Sequence, residues 1–114
     1  MPHLVIEYAE KLEDHISIPA LVSTAQEAMN RSGLFAPHTI KTRALPYRHF
    51  IAGEKGGSFI HAEVRLLDGR SEREREELSS AVFNALCQFA DGVPAVTVEV
   101  REMDQGCYSK RLPF

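Results

Sequence analysis

The residue best placed to do chemistry in this sequence is Pro2. Once Met1 is removed, its nitrogen is a free secondary amine, and α-amino groups titrate near ~7.7–8.0, closer to neutrality than a lysine. An apolar surrounding or nearby cations would penalise the protonated form and lower that value further. General acid–base catalysis calls for a base whose pKa lies near the working pH, and the pyrrolidine ring pre-aims the lone pair. Taken alone, a proline after Met1 signals no more than processing. Its context adds to that. Pro2 leads directly into an apolar run, Leu4-Val5-Ile6, which would hold the nitrogen at the edge of a sheet.

Lys41 and Arg43 are two apart in a strand-like stretch and therefore project from one face. That spacing suits a carboxylate, which Arg can grip with two parallel hydrogen bonds and Lys can meet as a point charge. A solvated strand face explains the same pair equally well. Arg70 stands just before a helix start, where free backbone N–H groups also favour anions; by itself it reads as an ordinary loop arginine. The run Glu72-Arg73-Glu74-Arg75-Glu76-Glu77 reads as a solvated helix face, and Cys87 as a helical packing residue. Cys107 has no evident base partner.

Other chemistries lack their signatures. There is no P-loop, GxGxxG, GxSxG or HExxH. The five histidines, His3, His15, His38, His49 and His61, show no metal-ligand spacing, and Cys87 and Cys107 form no CxxC. The chain has 114 residues, 44% hydrophobic and 25% charged, with 13 Lys and Arg against 16 Asp and Glu and a formal charge of -3. That balance argues against a nucleic-acid partner, which needs a basic footprint. No apolar run approaches the ~20 residues of a membrane span, and the start resembles no signal peptide. The expected location is the cytoplasm.

The elements that must position these residues form two similar halves. Strand-like residues 2–8 place Leu4, Ile6 and Tyr8 on one face, and Ile18, Leu21, Val22, Ala25 and Met29 follow at helical spacing. Ser17 is the expected N-cap and Gly33 the stop. Residues 40–45 read as a second strand ended by Pro46. In the second half, residues 59–66 alternate, with Ile60, Ala62, Val64 and Leu66 inward. Ser71 and Glu74 then make a capping box, ahead of a stripe of Leu78, Ala81, Val82, Ala85, Leu86 and Phe89. Residues 95–101 complete the order with Val96, Val98 and Val100 on one face. The loop 46–58, with Gly53, Gly56 and Gly57, is expected to be mobile. The tail 105–114 has no assignment.

Tandem β-α-β units imply parallel strand pairs within each half and both helices on one sheet face. The predicted fold class is α+β: a four-stranded mixed sheet with two helices on one face, in one domain over 1–114 with pseudo-repeats at about 2–45 and 58–103. The other sheet face, with Val5, Leu45 and Phe59, is left to meet other subunits or enclose a site.

The opening Met1-Pro2-His3-Leu4-Val5-Ile6-Glu7-Tyr8, the Gly33-Leu34-Phe35 turn, the Ile40-Lys41-Thr42-Arg43-Ala44 strand and Gly69-Arg70-Ser71 resemble 5-carboxymethyl-2-hydroxymuconate isomerase, of the tautomerase superfamily. The opening octet is a specific match and Gly-Arg-Ser a weak one; the likeness runs to about Val100 and is loose in the tail. The resemblance implies a trimer of β-α-β-β-α-β subunits in which the processed Pro2 is the catalytic base. It implies cofactor-free isomerisation of a dienol di- or tricarboxylate from aromatic-acid catabolism, bound by Arg43, Lys41 and Arg70. Lys41 departs from the related pattern, which carries arginine there; a lysine keeps the charge and loses the two-pronged grip. Another tautomerase, of the 4-oxalocrotonate or phenylpyruvate type, and a non-catalytic ligand-binding module on the same scaffold are the alternative readings.

Overall fold

A computed structural model describes residues 1–54 and 56–112, so the last two tail residues lie outside the described part. Four strands, β1 (His3–Ala9), β2 (Lys41–Tyr47), β3 (Phe59–Leu67) and β4 (Ala95–Met103), form one sheet in the order β2-β1-β3-β4. The pairs β1–β2 and β3–β4 are parallel, and the central pair β1–β3 is antiparallel. Helices α1 (Ile18–Arg31) and α2 (Glu72–Cys87) connect the strands of each parallel pair, so β-α-β occurs twice. The architecture is the four-stranded mixed sheet with two helices that the alternation and capping signals predict. No helix among the described residues is long and apolar enough to cross a membrane.

Alternation decides which face is covered. Leu4, Ile6 and Tyr8 of β1 and Ile60, Ala62, Val64 and Leu66 of β3 are buried, and they form one cluster with Leu21, Ala25 and Met29 of α1 and Leu78, Val82 and Leu86 of α2. Burial of such side chains contributes roughly 1.5–3 kcal/mol each, the main force holding helices to sheet. Val96, Val98 and Val100 of β4 pack only partly against this cluster, as the outermost strand on that side.

The helix ends follow local chemistry. The Ser17 side chain accepts from the Ala20 N–H, and Gly33, at φ 73°, takes the left-handed turn after α1 at no steric cost. Ser71 Oγ accepts from the Glu74 N–H at 3.1 Å, while Glu74 Oε1 accepts from the Ser71 N–H at 2.9 Å. Ser71→Ala should therefore lower stability by about 1 kcal/mol, read as a fall in the urea midpoint at constant m-value.

Three sequence readings are corrected. Pro46 does not end β2, which continues to Tyr47. β2 is an edge strand, hydrogen-bonded on one side only, and such a strand tolerates a residue without an N–H. Cys87 is exposed rather than packed, because the buried stripe of α2 passes through Ala85 and Leu86 and leaves the next position outside. Phe89 lies beyond the end of α2 and packs on the core from there. The loop after β2 is anchored at two points. Phe50 meets Phe59 edge to face with ring centroids 5.1 Å apart. Gly57 lies against Pro94, where a Cβ would come within 2.8 Å of its Cγ.

Candidate active site

The strand register builds the uncovered sheet face in rows. His3 is flanked by Lys41 on β2 and Arg65 on β3, and Arg65 in turn faces Arg101 on β4. The next row is Arg43, Val5, Glu63 and Glu99; beyond it come Leu45, Glu7, His61 and Thr97. Positive charge thus gathers at the end of the sheet where β1 begins.

Pro2 sits at that end. Its side chain is less than 2% exposed, and its carbonyl accepts from the Lys41 N–H at 3.2 Å, so sheet pairing starts one residue before β1. Met1 caps it and carries the terminal amine. That amine is held below its ordinary pKa first by desolvation and then by the charges of Lys110, Lys41 and Arg70. All three act in the same direction because each repels an ammonium.

The predicted cations occupy distinct places around this end. Lys41 Nζ donates to the Thr39 carbonyl at 3.2 Å. Arg43 Nη1 donates to His3 Nδ1 at 3.1 Å, one strand from Pro2. Arg70 Nη2 donates to the Leu34 carbonyl at 2.8 Å, and its guanidinium lies 5.5 Å from the Phe35 ring centroid. Arg70 thereby ties the second helix start to the turn after α1, a structural task that its sequence position did not announce.

Charge pairing separates these residues from the arginines of β3 and β4. Arg65 pairs with Glu63, Arg101 with Glu99 and Arg75 with Glu102, and Arg31 and Arg73 pair within their helices. Among the described residues Lys41, Arg43 and Arg70 form no ion pair; their partners are two backbone carbonyls and a histidine. Such a set retains its full charge for an anion.

Sequence reasoning missed the tail. After β4 the chain turns through Gln105–Cys107, where Asp104 accepts from the Gly106 N–H at 2.9 Å and lies 3.7 Å from Cys107 Sγ. It then returns to β1: Tyr108 Oη is 2.9 Å from His3 Nε2, with the rings edge to face. Lys110 follows, close enough to act on the terminal amine. Only a basic residue near an aromatic one in an unassigned tail could have hinted at this. An open groove of about 850 Å³ between α1 and α2 is lined by Glu27, Arg31, Glu77 and Asn84 and by none of the predicted site residues.

A four-stranded mixed sheet backed by two helices is the tautomerase fold, and the family model that the chain matches makes its class an isomerase. Residues 2–112 match the family model for 5-carboxymethyl-2-hydroxymuconate isomerase, and the chain belongs to that family. A crystal structure of a 5-carboxymethyl-2-hydroxymuconate delta-isomerase superposes with a TM-score of 0.81 at 19% identity, covering 98% of this chain and 88% of that one. A 5-carboxymethyl-2-hydroxymuconate isomerase from Deinococcus radiodurans gives 0.85 at 24% identity, over 96% and 88%. A fused 4-OT wild-type symmetric trimer gives 0.75 at 17%, over 95% and 90%. At these identities the structural likeness is one of fold. No curated protein sequence matches the chain.

Proposed function

We propose that the chain, freed of Met1, is a cofactor-independent isomerase that converts a 2-hydroxymuconate-type dienol carboxylate to its 2-oxo isomer. The substrate in best accord with the family is 5-carboxymethyl-2-hydroxymuconate, which would place the enzyme in aromatic-acid catabolism. The observation that carries this reading is the set of cations without carboxylate partners, Lys41, Arg43 and Arg70, gathered where buried Pro2 begins the sheet.

In the proposed reaction the substrate carboxylates bind these cations. The neutral Pro2 nitrogen takes the proton of the 2-hydroxyl; the O–H electrons form the C2=O bond, and the conjugated system shifts toward C5. The protonated nitrogen then delivers its proton to C5, forming the new C–H bond and restoring the free base. One base moving one proton is expected to contribute about 10²–10⁴ in rate. Cationic stabilisation of the developing dienolate supplies much of the remainder.

The functional unit proposed is a homotrimer. The uncovered sheet face and the unpaired outer edges of β2 and β4 call for a partner, and closed symmetry removes such edges. One structural neighbour is a symmetric trimer. Light scattering at micromolar concentration should give three times the 12.8 kDa chain mass, and a stable monomer would overturn the assignment.

The test of function compares turnover of 5-carboxymethyl-2-hydroxymuconate, 2-hydroxymuconate and phenylpyruvate by the processed protein. The reading expects the highest kcat/KM for the first. Preference for another substrate would make the chain a different tautomerase, as the lysine at position 41 allows. Binding without turnover of any would favour a non-catalytic module.

A further inference from the structure

The His3 ring stands between two side chains far apart in sequence, Arg43 of β2 and Tyr108 of the tail. A guanidinium offers only donors, so at 3.1 Å the His3 Nδ1 must accept with its lone pair. The ring proton then belongs to Nε2, which donates to Tyr108 Oη at 2.9 Å. Arg43 thus selects the tautomer, and Tyr108 fixes the ring plane. An imidazolium could not play this part, because both its nitrogens carry protons and one would confront Arg43.

The surroundings keep the ring neutral. Lys41 and Arg43 face it from β2, Arg65 from β3, the Met1 amine from the residues ahead of β1 and Tyr108 from the tail. The carboxylate in the next row of β3, Glu63, is engaged with Arg65. Desolvation first, then Arg43, Lys41, Arg65 and the terminal amine, lower the pKa of His3.

We propose that His3 is a positioning residue: a neutral ring, locked by Tyr108, that holds the Arg43 guanidinium beside Pro2 in the orientation from which it grips a substrate carboxylate. The proposal rests on the isomerase reading above and adds to it a second tier of the site, which includes the tail. Free arginine side chains rotate among many conformers; an acceptor at Nδ1 removes that freedom before substrate arrives. Hydrogen bonds to charged groups contribute about 1.5–3 kcal/mol, so losing this one is expected to cost about tenfold or more in affinity for a carboxylate.

The test uses the processed protein and 2-hydroxymuconate. His3→Phe should raise KM by about tenfold with a smaller change in kcat, because the lost bond acts through substrate binding. His3→Asn, whose side-chain oxygen can take the place of Nδ1, should restore KM to within about threefold of wild type. Tyr108→Phe should give an intermediate loss. In an Arg43→Ala background, His3→Phe should add little, since a residue that works through Arg43 has nothing left to position. As pH falls through the lowered pKa of His3, KM should rise in wild type and not in His3→Asn. Equal loss from His3→Phe in both backgrounds, or an unchanged KM, would overturn the proposal. A separate readout needs no turnover: side-chain 15N shifts of His3 should show Nδ1 unprotonated at neutral pH, and a protonated Nδ1 would refute the arrangement even if the protein proves not to be an isomerase. Conversely, the expected tautomer in a protein without turnover would retire the isomerase reading alone.

Discussion

Protein that retains Met1 should ketonise a 2-hydroxymuconate-type dienol at least ~100-fold more slowly than protein from which Met1 has been removed, the loss expected when the general base is taken away. The cause is electronic. With Met1 attached, the Pro2 nitrogen is an amide whose lone pair is delocalised into the carbonyl, and it cannot accept a proton. Acylating the processed amine should have the same effect. Pro2→Ala, once processed, leaves a primary amine and should weaken catalysis without abolishing it. Intact mass identifies the two forms, and circular dichroism verifies that they share one fold. Equal turnover by both would exclude Pro2 as the base.

The pH dependence has a definite sign. In the proposed mechanism deprotonated Pro2 is the active form, so the rate should rise with pH through the apparent pKa of that nitrogen. Burial and the charges of Lys110, Lys41 and Arg70 already lower the amine of Met1. The Pro2 nitrogen lies one residue along in the same surroundings, and its ring is buried with Met1 in place. Its apparent pKa should therefore fall below the ~7.7–8.0 of an ordinary α-amino group. An apparent pKa above that range would mean that a carboxylate, and not the cations, governs the amine.

Arg43→Ala should raise KM for a dicarboxylate about ten- to hundredfold, the cost of a lost charge-assisted pair of hydrogen bonds. kcat should also fall, because the contact strengthens as negative charge develops on the dienolate. Arg43→Lys should restore part of KM through its charge while lacking the planar fork. Lys41→Arg should preserve or improve activity by supplying that fork. Because Lys41 and Arg43 are exposed, KM should rise with ionic strength in wild type, and the rise should be smaller in Arg43→Ala. Unchanged kinetics in Arg43→Ala would remove that residue from the site.

Much of this architecture was legible because its causes are local. The capping box at Ser71 and Glu74 needs residues three apart and formed as read. The stripe of Leu78, Val82 and Leu86 and the alternation from Ile60 to Leu66 identify buried faces by period alone. Pro46 misled for the same reason. A proline is a local breaker, and the fact that spares β2 is its place at the sheet edge. Cys87 belongs to the same class: one step of about 100° around the helix separates it from buried Leu86, and only the seating of the helix on the sheet shows which side that step takes.

The sequence by itself determined that Pro2 leads an apolar strand, that Lys41 and Arg43 share a face, and that Arg70 precedes a helix. Each of these follows from neighbours within a few residues. What only the tertiary structure decided is which of these groups meet. Hydrogen-bond register places His3 between Lys41 and Arg65, each separated from it by a helix or more of chain, and a slip of one residue would turn every side chain to the other face. The return of the tail sets Tyr108 on His3 across 105 positions, and the Arg70–Leu34 bond spans 36. No periodicity encodes such separations. They arise from burying one sheet face under two helices, which fixes the order β2-β1-β3-β4 and gathers the cations where β1 begins.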